Sequence, residues 1–307
     1  MSASKLMKRI LASEEMKEKS DEDITLKHLH DHTFGIATDP LCQFAVVFSA
    51  LVHDVGHPGI PNARLAIEDP VTADRYENRS IAEQRSLDVA FDLLNLPNFE
   101  NLRRCIYANE DECKRFRQLV VNSILATDIA DKDMKLLRDN RWNTAFQLNE
   151  SDSKLDDWMD RKATIVIEHI IQASDVAHTM LHFIIYQRWN ERLFQELYFA
   201  YLAGRMDKDP SLGWYGGELW FFDNYIIPLA KKLKDCGVFG VSSDEYLHYA
   251  SQNRYEWEQK GHLIVKEMKE RADAVKSADH CRNRKTSSKS SSVNDTNKGS
   301  SDSFLEI

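Results

Sequence analysis

The sequence has little of what marks membrane-spanning and secreted proteins. Its apolar runs, at 44–52 and 164–171, are much shorter than the about 20 residues that a membrane-spanning helix needs. No basic, apolar and small-residue signal stands at its start. The five cysteines are scattered without C-x-x-C spacing, which argues against a disulfide framework and a zinc ribbon. These absences predict a cytoplasmic protein with free thiols that does not insert into a membrane.

Basic residues are also in the minority. The chain has 40 Lys and Arg against 49 Asp and Glu, a formal net charge of −9. Binding to a phosphate backbone requires a basic patch, and no strong one stands in the body of the chain. Nucleic acid is therefore excluded as a partner. A small anionic substrate would need local positive charge, most simply from a metal ion.

Strand-like alternation is scarce, whereas apolar residues recur at helical spacing along most of the chain. The predicted helices lie within 1–20 and at about 41–54, 79–94, 101–126, 132–139, 162–204 and 215–233. This pattern predicts an all-α domain over residues 1–274. Residues 275–307 are serine-rich and polar, so they cannot bury enough apolar surface to offset the entropy of ordering. We expect that tail to be disordered.

Three side chains of metal-ligand type, His53, Asp54 and His57, stand at the end of the most apolar segment. His53 and His57 are four residues apart and would share a helix face, with Asp54 rotated from His53 by about 100°. At a helix end, His53 and Asp54 can both reach one point beyond the terminus. Imidazole and carboxylate are the ligands of a zinc site with open positions, and a carboxylate can bridge to a second, harder cation.

Two further carboxylates stand on apolar segments. Asp175 lies in ATIVIEHIIQASDVAHTMLHF, where a buried carboxylate needs a partner or a metal. His178 and His182 follow at i+3 and i+7, which predicts one shared helix face. Asp128 ends the run VVNSILATD, where a helix-capping role is as plausible as a functional one.

The segment HDVGHPGIPNARL, at 53–65, is similar to the HD-x-x-HPG-x-x-N-x-x-L signature of class I cyclic nucleotide phosphodiesterases. The segments YENRSIAE, LATD, ASD and FFDNYIIPL follow in that family's order and approximate spacing, so the resemblance covers roughly residues 40–260. More narrowly, the stretch from ASDVAHTM to LKDCGVFGVSSDEYLHYA resembles the phosphodiesterase domains that some unicellular eukaryotes carry behind a receptor-type nucleotide cyclase.

The resemblance implies a compact multi-helix bundle of the HD type and a place in cyclic nucleotide signalling. It implies fusion to, or association with, a nucleotide cyclase, so that the chain would be the cytosolic end of a larger membrane protein. It further implies two-metal hydrolysis of a 3',5'-cyclic nucleotide, with a Zn²⁺ and a Mg²⁺ or Mn²⁺ ion. The implied metal ligands are His53, Asp54 and Asp175, the outer catalytic groups are His57, Glu83, Thr127 and Asp128, and the substrate-binding groups are His178, Glu218 and Phe221.

The chain departs from the family pattern at several positions. The family's upstream H-N-x-x-H motif, which holds the general-acid histidine and a further metal ligand, is absent. The opening MSASKLMKRIL resembles the segment that comes just after that motif in the family, which implies a domain lacking its N-terminal part. His28 and His32 keep the i, i+4 spacing and are possible substitutes, but they stand in a polar segment that we expect to be an exposed loop. Gly56 replaces a usual Asp, and His178 replaces a usual Asn.

Glu218 falls where the family carries its purine-reading glutamine. A glutamine both donates and accepts hydrogen bonds, whereas an ionised glutamate only accepts them. Glu218 can therefore accept from the N1 and N2 hydrogens of guanine but repels adenine N1, which predicts a preference for cGMP over cAMP. The alternative is that Glu218 is a surface charge one helical turn out of register.

Three other functions compete with an active phosphodiesterase. One is a catalytically impaired remnant that acts as a binding or regulatory module, which should hold at most one weakly bound ion. Another is a different HD-type phosphohydrolase, which explains the HD pair and Asp175 but not the HPG, YENRSIAE and FFDNYIIPL segments. The last is a purely structural role, which would require buried partners for all these polar groups at once.

Overall fold

The computed structural model describes residues 2–11, 22–146, 155–239 and 243–291. Within these ranges the chain forms fourteen α-helices and no strand, which confirms the predicted all-α class. The helices are α1 (Ser2–Leu11), α2 (Glu22–His32), α3 (Pro40–Val52), α4 (Asn62–Glu68), α5 (Pro70–Arg75), α6 (Ile81–Asn95), α7 (Glu100–Ile106), α8 (Glu110–Leu125), α9 (Lys132–Phe146), α10 (Leu155–Asp175), α11 (Phe183–Leu202), α12 (Trp214–Phe221), α13 (Ile227–Asp235) and α14 (Asp244–Ser291).

Side-chain caps fix where several of these helices begin. Asp39 caps α3, because its Oδ1 accepts a hydrogen bond from the Cys42 N–H at 3.1 Å and Pro40 is the first helical residue. Asp69 and Pro70 start α5 in the same way. The Asp39 cap sets the register that places His53 directly after the last residue of α3.

Several predicted helix boundaries were wrong. The stretch 101–126 is two helices, because the Asn109 side chain accepts from the Glu112 N–H at 2.9 Å and begins a new helix, α8. The stretch 162–204 is divided by a 3₁₀ turn at Ala177–Met180. The polar segment 21–40, expected to be a loop, contains α2. The helix predicted within 1–20 is observed as α1, and residues 12–21 lie outside the described ranges.

Helix α10 runs through the main core. Its residues Ile165, Val166 and Ile170 are no more than 2 % exposed, and it packs against α1, α9 and α13. Full burial of each such side chain contributes about 1.5–3 kcal/mol. A second apolar cluster joins α3, α6 and α8. Because α10 is held from several sides, its C-terminal residue Asp175 is placed firmly beside the end of α3.

Helix α14 closes the fold with the buried Trp257 and continues to Ser291. The helix therefore extends into the segment 275–307 for which the sequence predicts disorder, and residues 292–307 lie outside the described ranges. A helix that is already formed adds residues at little cost, which explains how a polar segment can continue it.

The described residues bear on two expectations, that the cysteines are free thiols and that no helix spans a membrane. The four cysteines whose side chains are described, Cys42, Cys105, Cys113 and Cys236, are free thiols. In the part of the chain that is described, no helix combines the length and the apolar character that crossing a membrane requires.

Candidate functional site

His53 and Asp54 lie immediately after the last turn of α3. His53 continues the helical backbone as the C-terminal cap, with its N–H donating to Ser49 O at 2.9 Å. Its Nδ1 lies 3.2 Å from Ala50 O, so that nitrogen carries a hydrogen. Nε2 is thereby directed outward, 3.2 Å from Asp54 Oδ2 and 3.2 Å from Asp175 Oδ1. The two side chains meet at one point beyond the helix end, as predicted.

Asp175 joins this pair from the end of α10. Ligand atoms of His53, Asp54 and Asp175 all lie within 4.8 Å of one another, and no other group of this kind is found among the described residues. Although burial opposes the charge, hydrogen bonds and charge from the two carboxylates raise the pKa of His53 to about 10. The hydrogen bond from His53, opposed by burial, lowers the pKa of Asp54. The cluster therefore concentrates negative charge around one imidazole.

The donor set of this cluster fits a divalent cation. Metal-bound histidines usually donate their second N–H to a carbonyl, as His53 Nδ1 does to Ala50 O, which leaves Nε2 for the metal. One nitrogen and two carboxylates suit a zinc-like ion, and a second carboxylate oxygen suits a harder one. The Asp54 side chain is 63 % exposed, so the cluster is open to solvent on that side. We call these three residues the metal-binding group.

Asn62, which the sequence analysis did not assign to the site, holds the Glu83 side chain. Asn62 Nδ2 donates to Glu83 Oε2 at 2.9 Å, and Asn62 Oδ1 accepts from the Ala82 N–H at 2.9 Å. Ala82 is the second residue of α6, whose N-cap, Ser80, makes no side-chain cap bond. Asn62 therefore caps α6 from another helix and orients Glu83. Burial raises the pKa of Glu83; the Asn62 hydrogen bond opposes this rise, and the Asp128 charge adds to it. In the sequence, the only sign of this role was that Asn62 is the Asn of the HPG-x-x-N pattern.

Asp128 is 6 % exposed, and both of its carboxylate oxygens accept hydrogen bonds from nearby groups. Its Oδ2 accepts from Ser80 Oγ at 2.8 Å, and its Oδ1 accepts from the Ala130 and Asp131 N–H groups at 3.0 and 3.2 Å. Asp128 therefore stabilises the turn between α8 and α9, whereas α9 itself is capped by Asp131, whose Oδ1 accepts from the Met134 N–H at 3.0 Å. Ser80 has φ 39° and ψ 50°, a left-handed conformation that few non-glycine residues adopt. The bond to Asp128 ties that strained loop to the turn after α8.

Thr127 lines the site, whereas His57 lies in the exposed segment after α3. Thr127 lines a cavity of about 90 Å³ together with His53 and Asp175. His57 is exposed and lies beyond the helix, so the predicted face shared with His53 does not exist. The Gly59 N–H donates to His57 Nδ1 at 3.1 Å, which leaves Nε2 to carry the hydrogen. Gly56 between the two histidines has φ +75°, which turns the chain away from the helix axis.

His178 and His182 do not share a helix face with Asp175, because α10 ends at Asp175 and a 3₁₀ turn follows. His182 instead caps α11. His178 remains near the metal-binding group: burial lowers its pKa to about 4, with the Asp175 charge opposing the shift. Its neutral ring lies parallel to Tyr186, with centroids 6.4 Å apart.

Glu218 lies on α12 and faces the interior of the fold. The alternative that it is a surface charge is therefore wrong. The Tyr186 hydroxyl donates to Glu218 Oε2 at 2.7 Å, and Asn190 forms a second side-chain hydrogen bond. The Trp214 indole donates to Asn190 Oδ1 at 3.1 Å, so the Asn190 amide presents its NH₂ to Glu218. Burial, opposed by these bonds, raises the pKa of Glu218 to about 7.

Phe221 precedes a single π-helical turn, Phe222–Ile226. Its ring is stacked on Tyr225 with centroids 5.2 Å apart and an interplanar angle of 14°. Single π turns are frequent at functional sites. The Asp175 charge acts on the buried Tyr225 hydroxyl, whose pKa is raised first by burial and further by that carboxylate. Phe221 is thus linked to the metal-binding group through Tyr225, and Glu218 is linked to it through Tyr186 and His178.

The predicted substitutes for the missing histidines do not join the metal-binding group. His28 and His32 lie on α2, with rings stacked on each other at 6.1 Å. The described metal-ligand group contains neither of them. Helix α2 packs instead on the turn Ile36–Thr38. The start of α1 lies closer, since Ser2 and Ala3 line the cavity shared by His53 and Asp175.

Known proteins resemble this chain in sequence and in fold. The profile of a family described as 3'5'-cyclic nucleotide phosphodiesterase matches residues 24–236. A probable 3',5'-cyclic-AMP phosphodiesterase of Caenorhabditis elegans is 30 % identical over 178 residues, covering 55 % of this chain and 24 % of that protein. A Drosophila melanogaster 3',5'-cyclic-AMP phosphodiesterase, isoform F, is 30 % identical over 182 residues, covering 58 % and 26 %. The match thus spans about a quarter of these relatives.

Solved structures show the likeness of fold. The crystal structure of the phosphodiesterase domain of Salpingoeca rosetta rhodopsin phosphodiesterase superimposes with a TM-score of 0.58 at 21 % identity, covering 78 % of this chain and 74 % of that one. A second crystal structure of that domain, from the same choanoflagellate fusion protein, gives a TM-score of 0.57 at 21 % identity, covering 75 % and 71 %. At this identity the likeness concerns the helical architecture.

Proposed function

Because the chain belongs to the 3',5'-cyclic nucleotide phosphodiesterase family, whose profile matches residues 24–236, we propose that it hydrolyses a 3',5'-cyclic nucleotide to the 5'-monophosphate. Water adds to phosphorus, the bond from phosphorus to the 3'-oxygen breaks, and that oxygen takes a proton. The observation that carries the proposal is the convergence of His53, Asp54 and Asp175 from two helix ends.

His53, Asp54 and Asp175 would hold two divalent cations, a Zn²⁺ and a Mg²⁺ or Mn²⁺, and the two oxygens of Asp54 would allow it to contribute to both. When bound, such ions polarise the phosphodiester and activate the attacking water. His53 is oriented for this by Ala50 O, and Glu83 by Asn62. Glu83, Asp128, Thr127 and His57 act at the edge of the site by orienting water and ligands.

The substrate base would lie between the phosphate position and α12. Phe221 offers a ring on which the base can stack, and the Tyr225 ring is stacked on Phe221. The neutral His178 ring contacts both sides of this region: the Asp175 charge acts on it, and it lies parallel to the Tyr186 ring. Glu218, anchored by Tyr186 and Asn190, would read the purine. In its ionised form it accepts from guanine N1 and N2, which favours cGMP over cAMP.

The test is hydrolysis of cGMP and cAMP by the purified 307-residue chain with Zn²⁺ and with Mg²⁺ or Mn²⁺. We expect turnover that is faster for cGMP and that Asp54→Asn abolishes. Turnover that survives Asp54→Asn would remove the metal-binding group from the reaction. Equal or faster turnover of cAMP at pH 8, where Glu218 is mostly ionised, would remove the proposed purine reading.

A second candidate function is a binding module of low catalytic power. It is favoured by the small donor set, because only three ligands meet among the described residues and Asp54 is 63 % exposed. Metal content separates the two functions: a catalytic site holds two ions per chain, a remnant at most one.

A second experiment adds the missing histidines. Joining an H-N-x-x-H segment directly before Ser2 would bring histidines to the cavity that Ser2 shares with His53. Restored metal content and turnover would favour an enzyme; unchanged values would favour the module.

We further infer that this catalytic unit works on the cytosolic side, within or beside a nucleotide cyclase. Support comes from the resemblance of residues 173–250 to cyclase-linked domains. One of the structural neighbours is also a domain of a fusion protein, in that case with a rhodopsin. Cross-linking in cells followed by mass spectrometry of the partner tests this. Recovery of a cyclase is expected, and recovery of secreted or nuclear partners would contradict it.

A further inference from the structure

Another cavity, with several charged side chains in its lining, lies between α9, α10, the π turn and α13. It encloses about 50 Å³ and includes Lys135, Arg138, Asp139, His169, Tyr225 and Lys232 in its lining. Arg138 connects it to the active-site loop, because its Nη2 donates to Asp128 O at 3.3 Å. The proposed hydrolysis uses none of these lining residues except Tyr225, whose ring supports Phe221. We call this space the α9 cavity.

Two buried donors of the α9 cavity have no acceptor. Arg138 is 5 % exposed, and its Nη1 makes no hydrogen bond to any described residue. The same holds for the buried Tyr225 hydroxyl. Leaving a buried donor unsatisfied is costly, and more so when it is charged. A ligand that accepts from both groups would remove that cost.

The charge of the lining selects the sign of such a ligand. Three cations, Lys135, Arg138 and Lys232, stand against one carboxylate, Asp139, which pairs with Lys232 Nζ at 2.5 Å. Burial lowers the pKa of His169 to about 4, so its ring is neutral, with Nδ1 bonded to Ile165 O at 2.6 Å. Asp175, whose charge acts on Tyr225, lies outside the lining. Among the lining residues positive charge is therefore in excess, and the ligand should be an anion.

One other carboxylate competes for Arg138. Glu168 Oε1 accepts from Arg141 Nη1 at 2.9 Å, while its Oε2 makes no hydrogen bond to a described residue. The Arg138 charge acts on Glu168, so a small movement could pair the two side chains directly. That pair would satisfy Arg138 without any ligand, and the test must separate the two arrangements.

We propose that the α9 cavity binds a free tetrahedral oxyanion, such as sulfate or inorganic phosphate, through Arg138 Nη1 and the Tyr225 hydroxyl. The planar guanidinium fork suits the oxygen geometry of such anions. Exposed Lys135 adds attraction at the open side. A cavity of about 50 Å³ has room for the oxyanion, whereas the nucleoside of a nucleotide would have to project through its open side.

The test is equilibrium dialysis of the full chain against radiolabelled sulfate, with chloride keeping the ionic strength constant. It is run with wild type and with Asp54→Asn, so that binding at the metal-binding group is identified. We expect one bound sulfate per chain in both. Tyr225→Phe should weaken binding about tenfold by removing one donor to a charged ligand, and Arg138→Met should abolish it. Lys231→Met, exposed and outside the lining, is the matched control and should bind normally.

Several outcomes would overturn the proposal. Sulfate uptake no greater than that of chloride would mean that the cavity holds water only. Undiminished binding by Tyr225→Phe, which should fold even if Arg138→Met does not, would place the anion elsewhere. Binding that arises only in Glu168→Gln would mean that Arg138 is paired with Glu168. Displacement of the sulfate from Asp54→Asn by guanosine 5'-monophosphate would identify a nucleotide subsite instead of a free-anion site.

Discussion

His53 Nε2 lies 3.2 Å from Asp175 Oδ1, although the two residues are 122 positions apart in the chain. Each is placed by the end of a helix, His53 as the cap of α3 and Asp175 as the last residue of α10. Because both helices are packed into the core, the distance between these two side chains is set by the whole fold. A cation that bridges them would consequently connect the two helix ends.

Replacing Asp54 by Asn should empty the metal-binding group. The change keeps the shape of the side chain but removes the charge that holds a cation against His53 and Asp175. We expect turnover to fall by more than the about 10- to 100-fold typical for loss of an outer contact. Bound metal, measured by elemental mass spectrometry, should fall with it. Asp74→Asn, exposed on α5, is the matched control. Unchanged metal content in Asp54→Asn would contradict the assignment.

Changes at Asn62 should separate its structural role from its role at Glu83. Asn62→Ala loses both the Ala82 cap and the Glu83 bond, so the free energy of unfolding should fall by about 1 kcal/mol and kcat by about 10- to 100-fold. Asn62→Asp keeps an acceptor for Ala82 but repels Glu83. It should therefore lose similar activity with a smaller loss of stability.

Thermal unfolding and steady-state kinetics of the same preparations check this. Asn101→Asp, exposed on α7, controls for the added charge. If Asn62→Ala is less stable but Asn62→Asp has normal kcat, then Asn62 only caps α6 and does not position Glu83.

The sequence allowed the site to be predicted where chemistry is local. His53 and Asp54 are adjacent, and a helix ending at 52 brings both side chains to one point. The pairing with Asp175 could be predicted only through the family resemblance, because no periodicity relates residues 122 positions apart. The roles of Asn62 and Ser80 were missed, since each depends on how one helix or loop lies against another. The shared face of Asp175, His178 and His182 was wrong because the helix ends at Asp175.

Gly261 should not tolerate a larger side chain. It lies where α14 meets α12, and a Cβ there would stand 2.8 Å from Tyr215 Cδ2 and 2.9 Å from Trp257 Cε2. Trp257 is fully buried and donates to Tyr215 O at 3.1 Å, so neither ring can easily move. Overpacking costs about 1–3 kcal/mol, and better helix propensity offsets about 1.

For Gly261→Ala we therefore expect a Tm about 2–4 °C lower, measured by calorimetry. Gly216→Ala on α12 is the control, because no described atom lies within 4 Å of its added Cβ. Its Tm should stay the same or rise. A Gly261→Ala protein as stable as the Gly216→Ala protein would contradict the close approach of the two helices.

Glu218 should make both stability and purine preference depend on pH. Its pKa is raised from 4.5 to about 7, so the folded state holds a proton that the unfolded state has lost above pH 4.5. The stability linked to this proton is complete below pH 4.5 and is lost as the pH rises through about 7. Glu218→Gln, which is neutral throughout, should be more stable than wild type at pH 8 and match it near pH 4.

The same titration should govern the choice of nucleotide. Ionised Glu218 only accepts hydrogen bonds, whereas the protonated acid can also donate one to adenine N1. The ratio of kcat/KM for cGMP to that for cAMP should thus rise between about pH 6 and pH 8, with its midpoint near the pKa of Glu218. The ratio is the right quantity because the metal-binding group and the phosphate titrate alike for both nucleotides. Glu218→Gln should flatten it, and Glu270→Gln, exposed on α14, should not. A wild-type ratio that is equal at pH 6 and pH 8 would mean that Glu218 does not contact the base.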